Sequence, residues 1–229
     1  MKKAFPVLAI LTAILLSYAL YEALVVAPTE QTMGDVQRIF YYHVPSAWTA
    51  FLLFLINFIA SVVYLIRRNP VADIIALVTA EVGVVFCTVV LVTGPLWARP
   101  VWGIWWTWDI RLTSTLVLWL IYISYLMLRR FSTSGQTPVL AAALAVFGAL
   151  DVPLVYFSIW IFRTQHPQPV IGGGGSIDPV MLHILLINWA AFLCLATLMC
   201  WSRYRLEIVQ REVEDTQAQE SLVAPGGSR

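Results

Sequence analysis

Apolar residues run along this chain in six long blocks, at about 4–27, 45–66, 73–94, 112–128, 138–161 and 180–201, divided by shorter polar stretches. A hydrocarbon core of roughly 30 Å takes about 20 helical residues at 1.5 Å each, so each block can form one crossing. The block at 112–128 is the shortest and borrows a few residues from the tryptophan-rich stretch before it. Together the blocks leave no room for a soluble domain. The pattern predicts an all-α polytopic membrane protein, with six transmembrane helices in one bundle over 1–205. Residues 206–229 are expected as a cytoplasmic tail, amphipathic at first with Glu207, Glu212, Glu214 and Asp215, then frayed from Ala224 onward. The Lys2-Lys3 start and its apolar run could be taken for a signal peptide. The run is too long for an h-region, and Val25-Val26-Ala27 is a poor cleavage site, so it reads as the first span.

Composition agrees. The chain is 60% hydrophobic and only 12% charged, with mean hydropathy +0.79, where a soluble domain carries about a quarter charged residues. A net charge of +1 offers no surface for nucleic acid. Basic residues set the orientation. Lys2, Lys3, Arg67, Arg68, Arg129, Arg130, Arg203, Arg205 and Arg211 fall on one side of a six-span arrangement, and Arg38, Arg99, Arg111 and Arg163 on the other. The positive-inside rule puts both termini in the cytoplasm and the loops at about 28–43, 95–111 and 162–179 outside. Cys87, Cys194 and Cys200 lie within spans and form neither a Cys-x-x-Cys pair nor a haem attachment site, so they read as small core residues. No Walker A sequence is present to power transport with ATP. The four glycines at 172–175 follow Pro-rich coil and read as a tether without a nucleotide role.

The longer outward loops are where function is expected. The stretch Trp97-Ala-Arg-Pro-Val-Trp-Gly-Ile-Trp-Trp-Thr-Trp-Asp109 holds Trp97, Trp102, Trp105, Trp106 and Trp108, half of the chain's ten tryptophans. An interfacial aromatic belt would scatter indoles over all helix ends, as Trp48, Trp160, Trp189 and Trp201 are scattered. Their concentration in one loop points instead to a platform for a large flat aromatic ligand. Pro100 at the first position of a short helix would put Trp102, Trp105, Trp106 and Asp109 on one face.

The three histidines, His43, His166 and His183, all fall at this same outer face. Neutral imidazole is the usual axial ligand of haem iron. Taken singly, each histidine reads as a hydrogen-bonded interfacial residue. Taken with the indoles, His43 and His166 become candidate ligands closing over a porphyrin. His183, inside the sixth span near its end, is more a structural residue. Arg99 and Arg111 flank the platform, with Arg38 and Arg163 in the other loops, and guanidinium forks suit propionates. A zinc site would show closer spacing such as His-x-x-x-His, which does not occur. Two acids inside spans, Glu81 and Asp151, are expected to face each other at similar depth, as a hydrogen-bonded pair or the start of a path.

The run Trp102-Gly-Ile-Trp-Trp-Thr-Trp-Asp109-Ile-Arg-Leu-Thr-Ser114 resembles the "WWD" signature of haem-handling proteins in cytochrome c maturation. With Leu91-Val-Thr-Gly-Pro-Leu-Trp97, Tyr42-His-Val-Pro45 and the six-span length, the chain is similar to the haem exporter protein C (CcmC) family over almost its whole length except the tail. The resemblance implies a haem chaperone, not an enzyme, of the bacterial inner membrane. It would hold haem b transiently, as cargo, on the periplasmic WWD loop, with one axial histidine from each flanking loop. By position those match His43 and His166. It further implies delivery to a membrane-anchored haem chaperone, and partnership with ATP-binding cassette subunits and a small single-span subunit. On this reading Trp97, Trp102, Trp105, Trp106 and Trp108 wall the macrocycle, Arg99 and Arg111 meet propionates, and Asp109 fixes the loop or contacts the acceptor. Two rivals remain: a haem-transporting permease subunit of a cassette exporter, and a haem b electron-transfer subunit. The first needs a continuous polar path, for which Glu81 and Asp151 are the only start. The second needs paired histidines deep within helices.

Overall fold

Six helical rods long and apolar enough to cross a membrane form one bundle in this computed structural model. It describes residues 3–132, 134–162, 164–169 and 177–223, the side chains of 222 and 223 excepted. Arg163, the glycines at 172–175, Lys2 and residues 224–229 lie outside the described residues, and with them the expectations of a tether and a frayed end. Among those described there is no strand.

All rods but the first are longer than the apolar blocks. Helix α1 spans Ala4–Tyr21 and runs into a π-helical turn, Glu22–Val26. A 3-10 turn over Asp35–Ile39 leads into α2, Phe40–Arg67, and α3 covers Pro70–Trp102. Helix α4 is Ile110–Phe131. The fifth crossing breaks into α5, Thr137–Ala149, and α6, Asp151–Ile161. The break falls just before Pro153, whose missing N–H and bulky ring disturb the preceding turn. Helix α7 runs without interruption from Pro179 to Val223, so the amphipathic continuation extends the sixth rod as a helix of 45 residues.

Local chemistry explains the tightest connection. Arg68 takes a left-handed conformation (φ 52°) and ends α2. Asn69 then caps α3, its side chain accepting from the Val71 N–H at 2.8 Å, with Pro70 at the first helical position. This turn sets α2 antiparallel to α3, and the two pack closely along their length. At Gly83 a Cβ would stand 2.6 Å from Phe54 Cε1, so only glycine lets the ring lie there. Phe54 stacks on Tyr122 of α4 at 3.8 Å between ring centroids. Beside that stack the Tyr122 hydroxyl donates to Asn57 Oδ1 (3.2 Å), and Asn57 Nδ2 donates to the Ala76 carbonyl (2.7 Å). Three helices are thereby joined by one buried polar chain, favourable where no water can satisfy these groups.

The arginine-bearing end of the bundle holds an ionic network in place of the expected meeting of Glu81 with Asp151. Asp73 binds Arg129 through two contacts (2.6 and 2.8 Å) and Arg211 at 2.7 Å. Glu207 links Arg211 (2.9 Å) to Arg203 (3.1 Å), and Arg203 closes on Glu81 at 2.7 Å. Glu81 is therefore committed to a cation on α7. Asp151, at the start of α6, has no ion-pair partner among the described residues. A guanidinium within reach outcompetes a second carboxylate, which would repel unless protonated.

Candidate functional site

The opposite end of the bundle gathers the 3-10 turn, the α3–α4 connection and residues 164–169. The α3–α4 connection departs from the expected short helix. Helix α3 continues through Pro95 and Pro100 to Trp102, and Gly103, left-handed at φ 78°, ends it by donating to the Arg99 carbonyl at 3.0 Å. Residues 103–109 are not helical, so Trp102 lies on α3 and Trp105, Trp106 and Asp109 share no helix face. Pro100 falls in the last turn of one helix instead of the first turn of another.

The indoles fall into two edge-on pairs. Trp97 meets Trp102 at 5.1 Å and 86°, and Trp106 meets Trp108 at 5.9 Å and 73°. Trp105 and Trp108 are 56% and 77% exposed, and Ile104 beside them is also exposed. Indoles this open are available to a flat ligand, a partner or the membrane interface.

Asp109 closes the loop. Its Oδ1 accepts the Leu112 N–H at 2.9 Å as the N-cap of α4. Its Oδ2 accepts from Thr107 Oγ1 (3.1 Å) and from the Gln165 N–H (3.3 Å). The tryptophan loop and the residue preceding His166 are thus tied to one carboxylate.

His43 and His166 come from opposite halves of the chain, yet their ring centroids stand 6.5 Å apart at an interplanar angle of 33°. His43 lies in the first turns of α2, and its Nδ1 meets Thr93 Oγ1 of α3 at 2.9 Å. His166 Nδ1 lies 2.9 Å from the Pro167 carbonyl, which can only accept, so this nitrogen carries the proton. The Nε2 of His166 then keeps its lone pair. Burial, with the Arg111 guanidinium, pushes this imidazole down to about 4, against the opposing pull of the Pro167 carbonyl and Asp109. His166 is therefore neutral at pH 7 and able to donate to a metal. His183 is exposed on α7 and makes no ring contact with the pair. Among the described residues no group of three His, Cys, Asp or Glu side chains could hold a metal ion.

The arginines divide. Arg111, half-buried at the start of α4, donates to the Val155 and Tyr156 carbonyls of α6 at 3.3 and 3.5 Å. Both contacts are long, and the guanidinium keeps further N–H groups. Arg99 is exposed and folds onto the Gly103 carbonyl. Arg38 pairs with Asp35 at 3.1 Å and donates to the Ala23 carbonyl at 3.2 Å, which pins the 3-10 turn to the π-helical turn that follows α1. Sequence reasoning missed Thr93 and Gln165 as contributors. Thr93 stood inside the quoted Leu91–Trp97 run, but only the packing of α2 on α3 sets it against His43.

Fold and site define a class: a six-span helical membrane protein with a histidine pair and a tryptophan-rich loop at one end of its bundle. Within that class the chain belongs to the heme exporter protein C family, whose model matches residues 1–219. It is similar to "Heme exporter protein C" of Bradyrhizobium diazoefficiens, 37% identical over 94% of this chain and 82% of that protein. The protein of the same name from Haemophilus influenzae is 32% identical over 93% of this chain and 87% of its own length. That of Escherichia coli K12 is 30% identical over 96% and 90%.

Proposed function

We propose that this protein handles haem for cytochrome c biogenesis in a bacterial inner membrane, within a multi-subunit export and maturation complex. It holds haem b as transient cargo at the periplasmic face, with His43 and His166 as axial ligands. It then passes the haem to a membrane-anchored haem chaperone. ATP-binding cassette subunits and a small single-span subunit are its complex partners.

The observation that carries this reading is the 6.5 Å spacing of the two imidazoles. A metal–imidazole nitrogen bond is about 2 Å and the ring centre lies about 1 Å further, so two rings on opposite sides of one metal stand roughly 6 Å apart. The available Nε2 of His166 and the exposed Trp105 and Trp108 fit an iron porphyrin as the occupant. Arg111, whose contacts to α6 are long, suits a propionate; Arg99 is a second cation beside the loop. The protein's part is to bind and orient. Iron coordination supplies the affinity, and the open loop leaves a haem edge for the acceptor.

A strain lacking this protein, complemented with wild type or with His43→Ala/His166→Ala, tests the function. Wild type should restore haem on the acceptor chaperone and holocytochrome c, and the double variant should restore neither. Normal loading of the acceptor without this protein would sink the proposal.

A further inference from the structure

Thr93, on α3, holds the one hydrogen bond that His43 Nδ1 makes among the described residues. A threonine hydroxyl has one proton and two acceptor lone pairs. Thr93 Oγ1 lies 2.6 Å from the Val89 carbonyl one turn back, and 3.4 Å from that of Val90, and its proton goes there. What remains to face His43 is a lone pair, which requires a proton on Nδ1. In the neutral imidazole, the form that ligates a metal, that leaves Nε2 unprotonated, and among the described residues no hydrogen bond reaches it. Gly94, next in the chain, lies beside the same ring, where a Cβ would make ordinary van der Waals contact with His43 Cε1 at 3.5 Å.

Hydroxyls bonding back to the helix are common and by themselves signify little. Here the back-bond has a consequence, because it settles which partner of the next hydrogen bond donates. Pro167 does for His166 what Thr93 does for His43: each presents an acceptor to Nδ1.

We infer that Thr93 is a positioning residue for the haem ligand His43, setting its tautomer and ring orientation so that Nε2 faces the cargo with its lone pair free. This rests on the axial role proposed above for His43. An acceptor on the far nitrogen of a ligating histidine also raises its donor strength, and removal of such a partner typically weakens metal binding about 10- to 100-fold.

The test compares Thr93→Val, which keeps the shape and loses the hydroxyl, with Thr93→Ser, which keeps the hydroxyl. Nitrogen NMR of haem-free protein labelled with 15N at its three histidines reads the tautomer directly. Wild type and Thr93→Ser should hold His43 with the proton on Nδ1, and Thr93→Val should lose that preference. In haem-loaded protein, Thr93→Val should retain haem at least about tenfold more weakly and shift the midpoint potential upward, while Thr93→Ser stays near wild type. A wild-type tautomer and haem affinity in Thr93→Val would overturn the inference, as would Thr93→Ser behaving like Thr93→Val. His43→Ala, run alongside, separates the two claims. Low-spin haem surviving in His43→Ala overturns the axial role and this inference with it. Its loss there, with Thr93→Val unchanged, overturns the role of Thr93 alone.

Discussion

The Asp109 carboxylate accepts three hydrogen bonds, by which it caps α4, braces Thr107 and holds the backbone before His166. Loss of an N-cap costs about 1 kcal/mol. Asp109→Ala should therefore lower the melting temperature modestly but reduce retained haem more sharply, since His166 loses its tether. Asp109→Asn, which keeps an acceptor for Leu112, should recover the melting temperature. Thermal melts paired with haem-to-protein ratios check this; parallel loss of both in Asp109→Asn would contradict a separate tethering role. Residue identities at this end were largely legible. His43, His166, Asp109 and Arg111 stand out because polar groups beside long apolar blocks are few. Their mutual contacts were not legible, since nothing in local spacing says that 43 and 166 share a site, or that Gln165 offers its N–H to Asp109.

Gly103 decides the shape of the tryptophan loop at the scale of elements. Its left-handed backbone ends α3, and no atom stands within 4 Å of where a Cβ would be, so the penalty for alanine is conformational alone. Gly103→Ala should cost about 1 kcal/mol and draw the loop toward helix, lowering haem retention; unchanged retention and melting temperature would contradict this account of the loop. Tryptophan spacing at i, i+3 and i+4 misled here because the same spacing suits either conformation, and the glycine between Trp102 and Trp105 carried the stop signal. A contrasting case is Gly83, where a Cβ would press on Phe54 at 2.6 Å. Gly83→Ala should destabilise the α2–α3 pair by about 2 kcal/mol through overpacking, measurable as a lower melting temperature in detergent. The helix ends, too, ran beyond the apolar blocks: polar and proline-bearing residues at 95–102 stay helical because the turns they continue are already formed.

Across the whole molecule, the two ends are built differently: one is held by ion pairs, and the other carries the histidine pair and the tryptophan loop. At the locked end Asp73, buried on α3, pairs with both Arg129 of α4 and Arg211 of α7. Removing one member of a buried ion pair typically costs about 3 kcal/mol, because its partners stay charged. Asp73→Asn should thus greatly reduce folded yield, and a wild-type melting temperature would remove the network from the stability account. Six crossings were plain from hydropathy, but a lock joining residues 73, 129, 203, 207 and 211 needed the packing of three helices to become visible. The histidine end carries the central claim, that His43 and His166 together hold haem iron. The absorption spectrum of purified, haem-loaded protein tests it most directly, compared with His43→Ala and His166→Ala. The account predicts a six-coordinate low-spin spectrum in wild type, and its loss in each single variant. A low-spin spectrum unchanged in both variants would contradict it.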